Sequence, residues 1–186
     1  MEMNTDTITL FMASKATAER NGFGYIPELI AFGTLAIMGD SPLHGYLMKQ
    51  GLEHLEIVNK VAELYSKHFP DEEERYQEYE ETMESLLKEE TSLDELYELT
   101  DEEDENYEGS FVTLDFVLGP NNGASSKKQL VITTELYDIL KLASEIAETM
   151  YDSTHVTNEY MFAAFTEAMP DIYLEFMISC LGDDVI

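Results

Sequence analysis

Cysteine is nearly absent from this chain: Cys180 is the one thiol in 186 residues. A single thiol excludes an intrachain disulfide. Its place in an apolar helical run (Ile178, Cys180, Leu181) reads as an inert buried group, not a nucleophile. Basic residues are scarce, ten Lys and Arg against 39 Asp and Glu, for a net charge of −29. Nucleic-acid binding needs cations to displace phosphate counterions, so this balance argues against it. It argues equally against docking to anionic lipid. The longest apolar runs, such as Leu29–Met38 with its glycine and threonine, are too short to span a bilayer. No basic leader precedes an apolar signal segment. Together these absences lead to the expectation of a cytoplasmic protein.

Motif chemistry is missing too. There is no G-x-x-x-x-G-K-[ST], so the chain carries no nucleotide motor of that type. There is no H-E-x-x-H, no Cys/His ligand cluster and no G-x-S-x-G elbow. The four histidines (His44, His54, His68, His155) are scattered along the sequence. Asp152 and His155 fall in a predicted turn and read as a surface pair. Carboxylate pairs are uninformative in so acidic a chain. No catalytic residue, metal or cofactor is expected, and the chain is not read as an enzyme.

What is present is a repeated order. Leu10 to Gly51 returns, altered, as Leu136 to Gly182. Each copy begins with a helix bearing small residues on one face (Ala13, Ala16; Ala143, Ala147). A polar turn follows, then a second helix opened by a Glu (Glu28; Glu159). A break holds Asp and Pro (Asp40, Pro42; Pro170, Asp171), and a third helix ends at Gly51 or Gly182. Fifteen residues separate Ala13 from Glu28 and sixteen separate Ala143 from Glu159, so the copies differ by one residue in a turn. Leu29–Met38 is apolar nearly all round, which predicts a helix buried on most sides. Pro27 is placed at the first helical position, where its missing N–H costs nothing. Leu52–His68 is a further helix with the stripe Leu55, Val58, Val61, Ala62 and Tyr65.

Between the copies the composition changes. Asp71 to Glu108 holds 19 acidic residues and two basic ones, a net −17 of the chain's −29, so the acidity is concentrated here. Tyr76, Tyr79, Met83 and Leu86 keep helical spacing. Asp101 to Glu108 is a like-charge run read as a loop. Phe111–Leu118 is rich in β-branched and aromatic residues, a turn cluster follows at Gly119–Gly123, and Gln129–Thr133 can form a second strand. The fold expected is therefore mainly α: a pseudo-two-fold duplicated helical bundle (7–68 and 132–182) with an acidic helical insert and small β-hairpin at 71–131.

The order of a helix with Ala-x-x-x-Ala spacing, a turn, a Thr-x-Glu opening, an apolar helix, a break and a helix resembles the amino-terminal domain of the Clp-type AAA+ unfoldases, the Clp repeat. The openings here read Ile26-Pro27-Glu28-Leu29-Ile30 and Thr157-Asn158-Glu159-Tyr160-Met161; Leu29 and Tyr160 stand where the family carries His. The family joins its two units by a short linker, whereas this chain puts about sixty-five residues there. The resemblance implies a stand-alone protein- or peptide-binding module whose partner is a Clp unfoldase, its adaptor or its substrates. It also implies that Glu28 and Glu159 receive a positively charged ligand, in some members phosphoarginine. A Glu in the first turn of a helix is stabilised by the helix dipole in any case. Tyr160 joins this candidate contact set. Tyr76 and Tyr79, interleaved with carboxylates, are candidate anchors for a basic partner surface. The alternative reading is an acidic mimic of nucleic acid that blocks a DNA- or RNA-binding protein.

Overall fold

The helix that the sequence marks as apolar all round lies at the middle of the fold. Helix α2 (Glu28–Ile37) buries every residue from Leu29 to Ala36. It is surrounded by α1 (Thr5–Arg20), α3 (Pro42–Lys49), α4 (His54–His68), α5 (Thr134–Tyr151) and α6 (Asn158–Ala168). Helix α7 (Pro170–Leu181) packs against α4 and α6. The structure, a computed structural model, describes residues 2–69, 111–118 and 126–182. The acidic stretch from Asp71 to Glu108, with Tyr76 and Tyr79, lies outside the described residues. Within them the chain is mainly helical, and no helix is long and apolar enough to cross a membrane.

Aromatic rings join the two ends of the chain through α2. Phe32 meets Phe165 of α6 edge-on at 5.8 Å and Phe176 of α7 at 5.6 Å, and all three are fully buried. On the side facing α4 the ring of Tyr65 lies across Gly33, and its hydroxyl donates to the Ile30 carbonyl at 3.1 Å. A Cβ on Gly33 would stand 2.1 Å from that hydroxyl oxygen. Glycine is therefore required here for close approach, despite its cost within a helix.

The strands are few. β2 (Phe111–Leu118) and β3 (Ser126–Thr133) form an antiparallel hairpin with Phe111 opposite Thr133 and Leu118 opposite Ser126. β3 begins three residues earlier than the sequence suggested. Its alternation buries Leu130 and Ile132 and turns Gln129 to solvent. Two short parallel contacts tie the front of the chain to the back. β1 (Glu2–Met3) pairs with β4 (His155–Val156), with Met3 opposite Val156. Ile26 bridges to Ile132: its N–H donates to the Val131 carbonyl at 2.9 Å, and its carbonyl accepts from the Thr133 N–H at 3.2 Å.

Capping sets the helix registers and corrects several expectations. Asn4 caps α1 by accepting the Thr7 N–H at 2.8 Å, so this helix starts before Thr7. Its buried face is Thr7, Leu10, Phe11, Ser14 and Ala18. Ala13 is only half-buried and Ala16 is exposed, so they are not the packing face. Thr133 caps α5, whose buried face is Leu136, Ile139, Leu140, Ala143 and Ala147. The two faces follow the same intervals, residue for residue. Pro27 is the extended cap of α2 and Glu28 its first helical residue, one position later than the sequence placed them. In α4 the buried stripe is Ile57, Val61, Leu64 and Tyr65. Leu55 is 66% exposed and Ala62 faces solvent, because the seating of Tyr65 on Gly33 fixes the rotation of the helix.

Candidate functional site

An open groove of about 400 Å³ lies where the start of α2, the start of α5, the end of α4 and the α6–α7 junction meet. Glu28 is half-buried in its wall. The hydroxyl of Thr133 donates to Glu28 Oε2 at 2.9 Å, and the same hydroxyl oxygen accepts the Leu136 N–H at 3.3 Å. One residue thus caps α5 and orients the carboxylate at the head of α2. Glu135, exposed on the first turn of α5, adds a second carboxylate to the lining.

Most of the remaining lining is aromatic or aliphatic. On one side Phe23, Tyr25 and Phe69 form an aromatic chain, with ring centroids 5.6 Å apart for Phe23–Tyr25 and 4.8 Å for Phe23–Phe69. Tyr25 continues it to Phe111 at 4.6 Å. Leu29, Met169 and Ile172 line the other side. His68 also borders the groove, and its Nε2 lies 2.9 Å from Glu175 Oε2 on α7. Lys67 Nζ is 2.7 Å from the other Glu175 oxygen. Hydrogen bonding from Lys67 holds the Glu175 carboxyl below the usual range, against a smaller opposing effect of burial, and His68 adds to it. Chemically, the groove can seat a positively charged side chain: carboxylates for its head, aromatic and aliphatic walls for its stem.

The second candidate Glu is placed differently. Glu159 is the second residue of α6, after its cap Thr157, and is exposed. Counted from the caps, Asn158 and not Glu159 stands at the position of Glu28. Asn158 is 5% exposed, and neither its Oδ1 nor its Nδ2 has a protein partner. Glu159 does not line the groove. Tyr160 is half-buried and stacks on Tyr151, with centroids 5.0 Å apart and planes at 32°.

Sequence spacing left two of the histidines apart that the fold brings together. His44 Nε2 and His54 Nδ1 are 3.0 Å apart between α3 and α4. Burial and the neighbouring His54 both lower the pKa of His44. Among the described residues no group of three or more His, Cys, Asp or Glu converges as a metal site. Burial pushes the Cys180 thiol up, away from thiolate character. Thr133, Glu135 and Phe69 escaped sequence reasoning as site residues. The capping pattern at Thr133 was a usable signal for one of them.

Fold and site together define a mainly helical protein with an acidic, aromatic-walled surface groove. No family model, curated protein or solved structure matches the chain at a significant level.

Proposed function

We propose that the chain is a non-catalytic protein- or peptide-binding module of the Clp amino-terminal type, and that the Glu28 groove receives a cationic side chain of its partner. The observation that carries the reading is the oriented carboxylate of Glu28 between aromatic and aliphatic walls. A charge-assisted hydrogen bond in such a setting is stronger than a neutral one.

Three features support the duplicated architecture behind it. The buried positions of α1 and α5 recur at identical intervals. Met3, one residue before the α1 cap, pairs with Val156, one residue before the α6 cap. Ile132, one residue before the α5 cap, bridges to Ile26, one residue before the α2 cap. Each half therefore lends the lead of its first helix to the entry of the other half's second helix, a reciprocity expected of two related units about an approximate dyad. The acidic insert between the halves belongs to the same proposal as a feature particular to this chain.

By the resemblance, the partner is a Clp unfoldase, its adaptor or a degradation substrate, and the module acts by competition or tethering. Capture experiments with the full chain test this. Recovery of an unfoldase or adaptor, lost in the Glu28→Gln variant, is the expected result. Recovery of none of these partners overturns the Clp assignment. The mimic of nucleic acid gains no particular support from the described residues: exposed carboxylates are spread over α1, α4, α5, α6 and α7.

A further inference from the structure

After Lys141 the sequence holds no Lys or Arg. That bare stretch includes the end of α5, which has no basic residue in its last turn. The unpaired carbonyls of a helix C-terminus carry partial negative charge and attract cations. Here they are met by exposed Glu148 and by Asp152, which caps the helix in the left-handed conformation (φ 48°). On this same end two large apolar side chains stand out into solvent, Met150 at 72% and Tyr151 at 62% exposed. Tyr151 is held in place by its stack on Tyr160 of α6. The result is a pre-ordered aromatic face among carboxylates and a helix C-terminus, with no Lys or Arg of its own chain nearby in sequence.

We infer that this surface docks an arginine-bearing segment of a partner protein, with a guanidinium lying on the Tyr151 ring and Glu148 and Asp152 holding its N–H groups. Charge complementarity decides the occupant. A second copy of this acidic chain would bring like charge to like charge, and an uncharged apolar segment would leave the carboxylates unanswered. The guanidinium is preferred over an ammonium because its plane stacks on a ring while its edges donate to carboxylates. Helix α5 shows a related contact internally, where Lys141 Nζ sits 4.7 Å from the Tyr137 ring centroid. The surface is separate from the Glu28 groove, so this inference stands without the reading given above.

The test uses the full chain and a labelled nine-residue arginine-rich peptide, with lysine-rich and glutamate-rich peptides of equal length. Ring resonances of Tyr151 and Tyr160 are followed by NMR alongside anisotropy. The arginine peptide is expected to move both rings and to bind more tightly than the lysine peptide, and the glutamate peptide is expected not to bind. Tyr151→Ser should weaken arginine binding, read from the Tyr160 shift, by about two- to fivefold and remove the preference over lysine there. Asp152→Lys, which keeps the ring, should weaken both cationic peptides. Glu28→Gln should leave the Tyr151 and Tyr160 shifts intact, which separates this surface from the groove. Unmoved rings in the wild type, or a Tyr160 shift that still favours arginine over lysine in Tyr151→Ser, overturns the inference.

Discussion

The Thr133 hydroxyl donates to the Glu28 carboxylate at 2.9 Å, across 105 residues of sequence. It joins the heads of two helices from opposite ends of the chain and fixes the carboxylate in the groove. Glu28→Gln keeps the shape and removes the charge. Stability in urea should change little, while affinity for an arginine-containing peptide at the groove should fall about tenfold or more, the scale of a hydrogen bond to a charged group. Thr133→Ala should instead lower stability by about 1 kcal/mol, because it also removes the cap of α5. Thr133→Ser should restore the stability, because its hydroxyl can cap α5 in the same way. Equal peptide affinity in the wild type and Glu28→Gln removes Glu28 from the site.

Ser14 of α1 occupies the place that Ala143 holds in α5, on a face of matching intervals. Its Oγ is buried and has no protein partner. A hydroxyl buried without a hydrogen bond costs about 1–3 kcal/mol by protein mutational data. Ser14→Ala should therefore raise the unfolding free energy, by about 1 kcal/mol after allowing for some lost packing. Chemical denaturation with circular dichroism measures this. A destabilised Ser14→Ala would mean that the hydroxyl is satisfied in solution.

The sequence made the central helix plain, since eight consecutive buried residues from Leu29 to Ala36 leave no polar face to read otherwise. β2 was equally plain, because Phe111–Leu118 is dense in residues that suit a pleated surface. Small-residue faces were harder. Ala13 and Ala16 have the right chemistry, but the Asn4 cap rotates Ser14 and Ala18 inward instead. The groove was half visible: Glu28 stood out at a helix start, while Thr133, Phe69 and Glu135 reach it only through non-local contacts that spacing cannot reveal. The same holds for His44 and His54, which meet only once α3 and α4 fold against each other. Equating Glu159 with Glu28 missed the one-residue difference in helix start, which a count from Pro27 and Thr157 exposes.

The Gly33–Tyr65 contact makes a strong claim about packing. A methyl group at residue 33 would fall 2.1 Å from the Tyr65 hydroxyl oxygen and 2.6 Å from its Cζ. Tyr65 is buried and bonded to the Ile30 carbonyl, so it has little room to retreat. Gly33→Ala should lower stability by about 1–3 kcal/mol, the usual cost of overpacking, despite the better helix propensity of alanine. Tyr65→Leu in the same background should recover part of the loss by freeing the space. Thermal melts of the single and double variants decide the matter, and a Gly33→Ala protein as stable as the wild type would refute the contact.

His44 gives the fold an acid-sensitive joint between α3 and α4. Its ring is 7% exposed and faces His54 at 3.0 Å, so a second proton would set two cations against each other. Burial and His54 both depress its pKa below the ordinary 6.5. The unfolded chain therefore binds more protons than the folded one just below pH 6.5, and stability falls as the pH is lowered through that value. The loss ends once the pH passes below the depressed folded-state value. Glu175 acts in a lower window: its carboxyl lies below 4.5, so its contribution is present above that value and is lost as acid reaches the folded-state pKa. Denaturation midpoints between pH 7.5 and 5.5 should drop in the wild type. His44→Gln should flatten the decline above pH 5.5 and leave the fall at lower pH in place, whereas an unchanged slope would show that this pair does not govern the response.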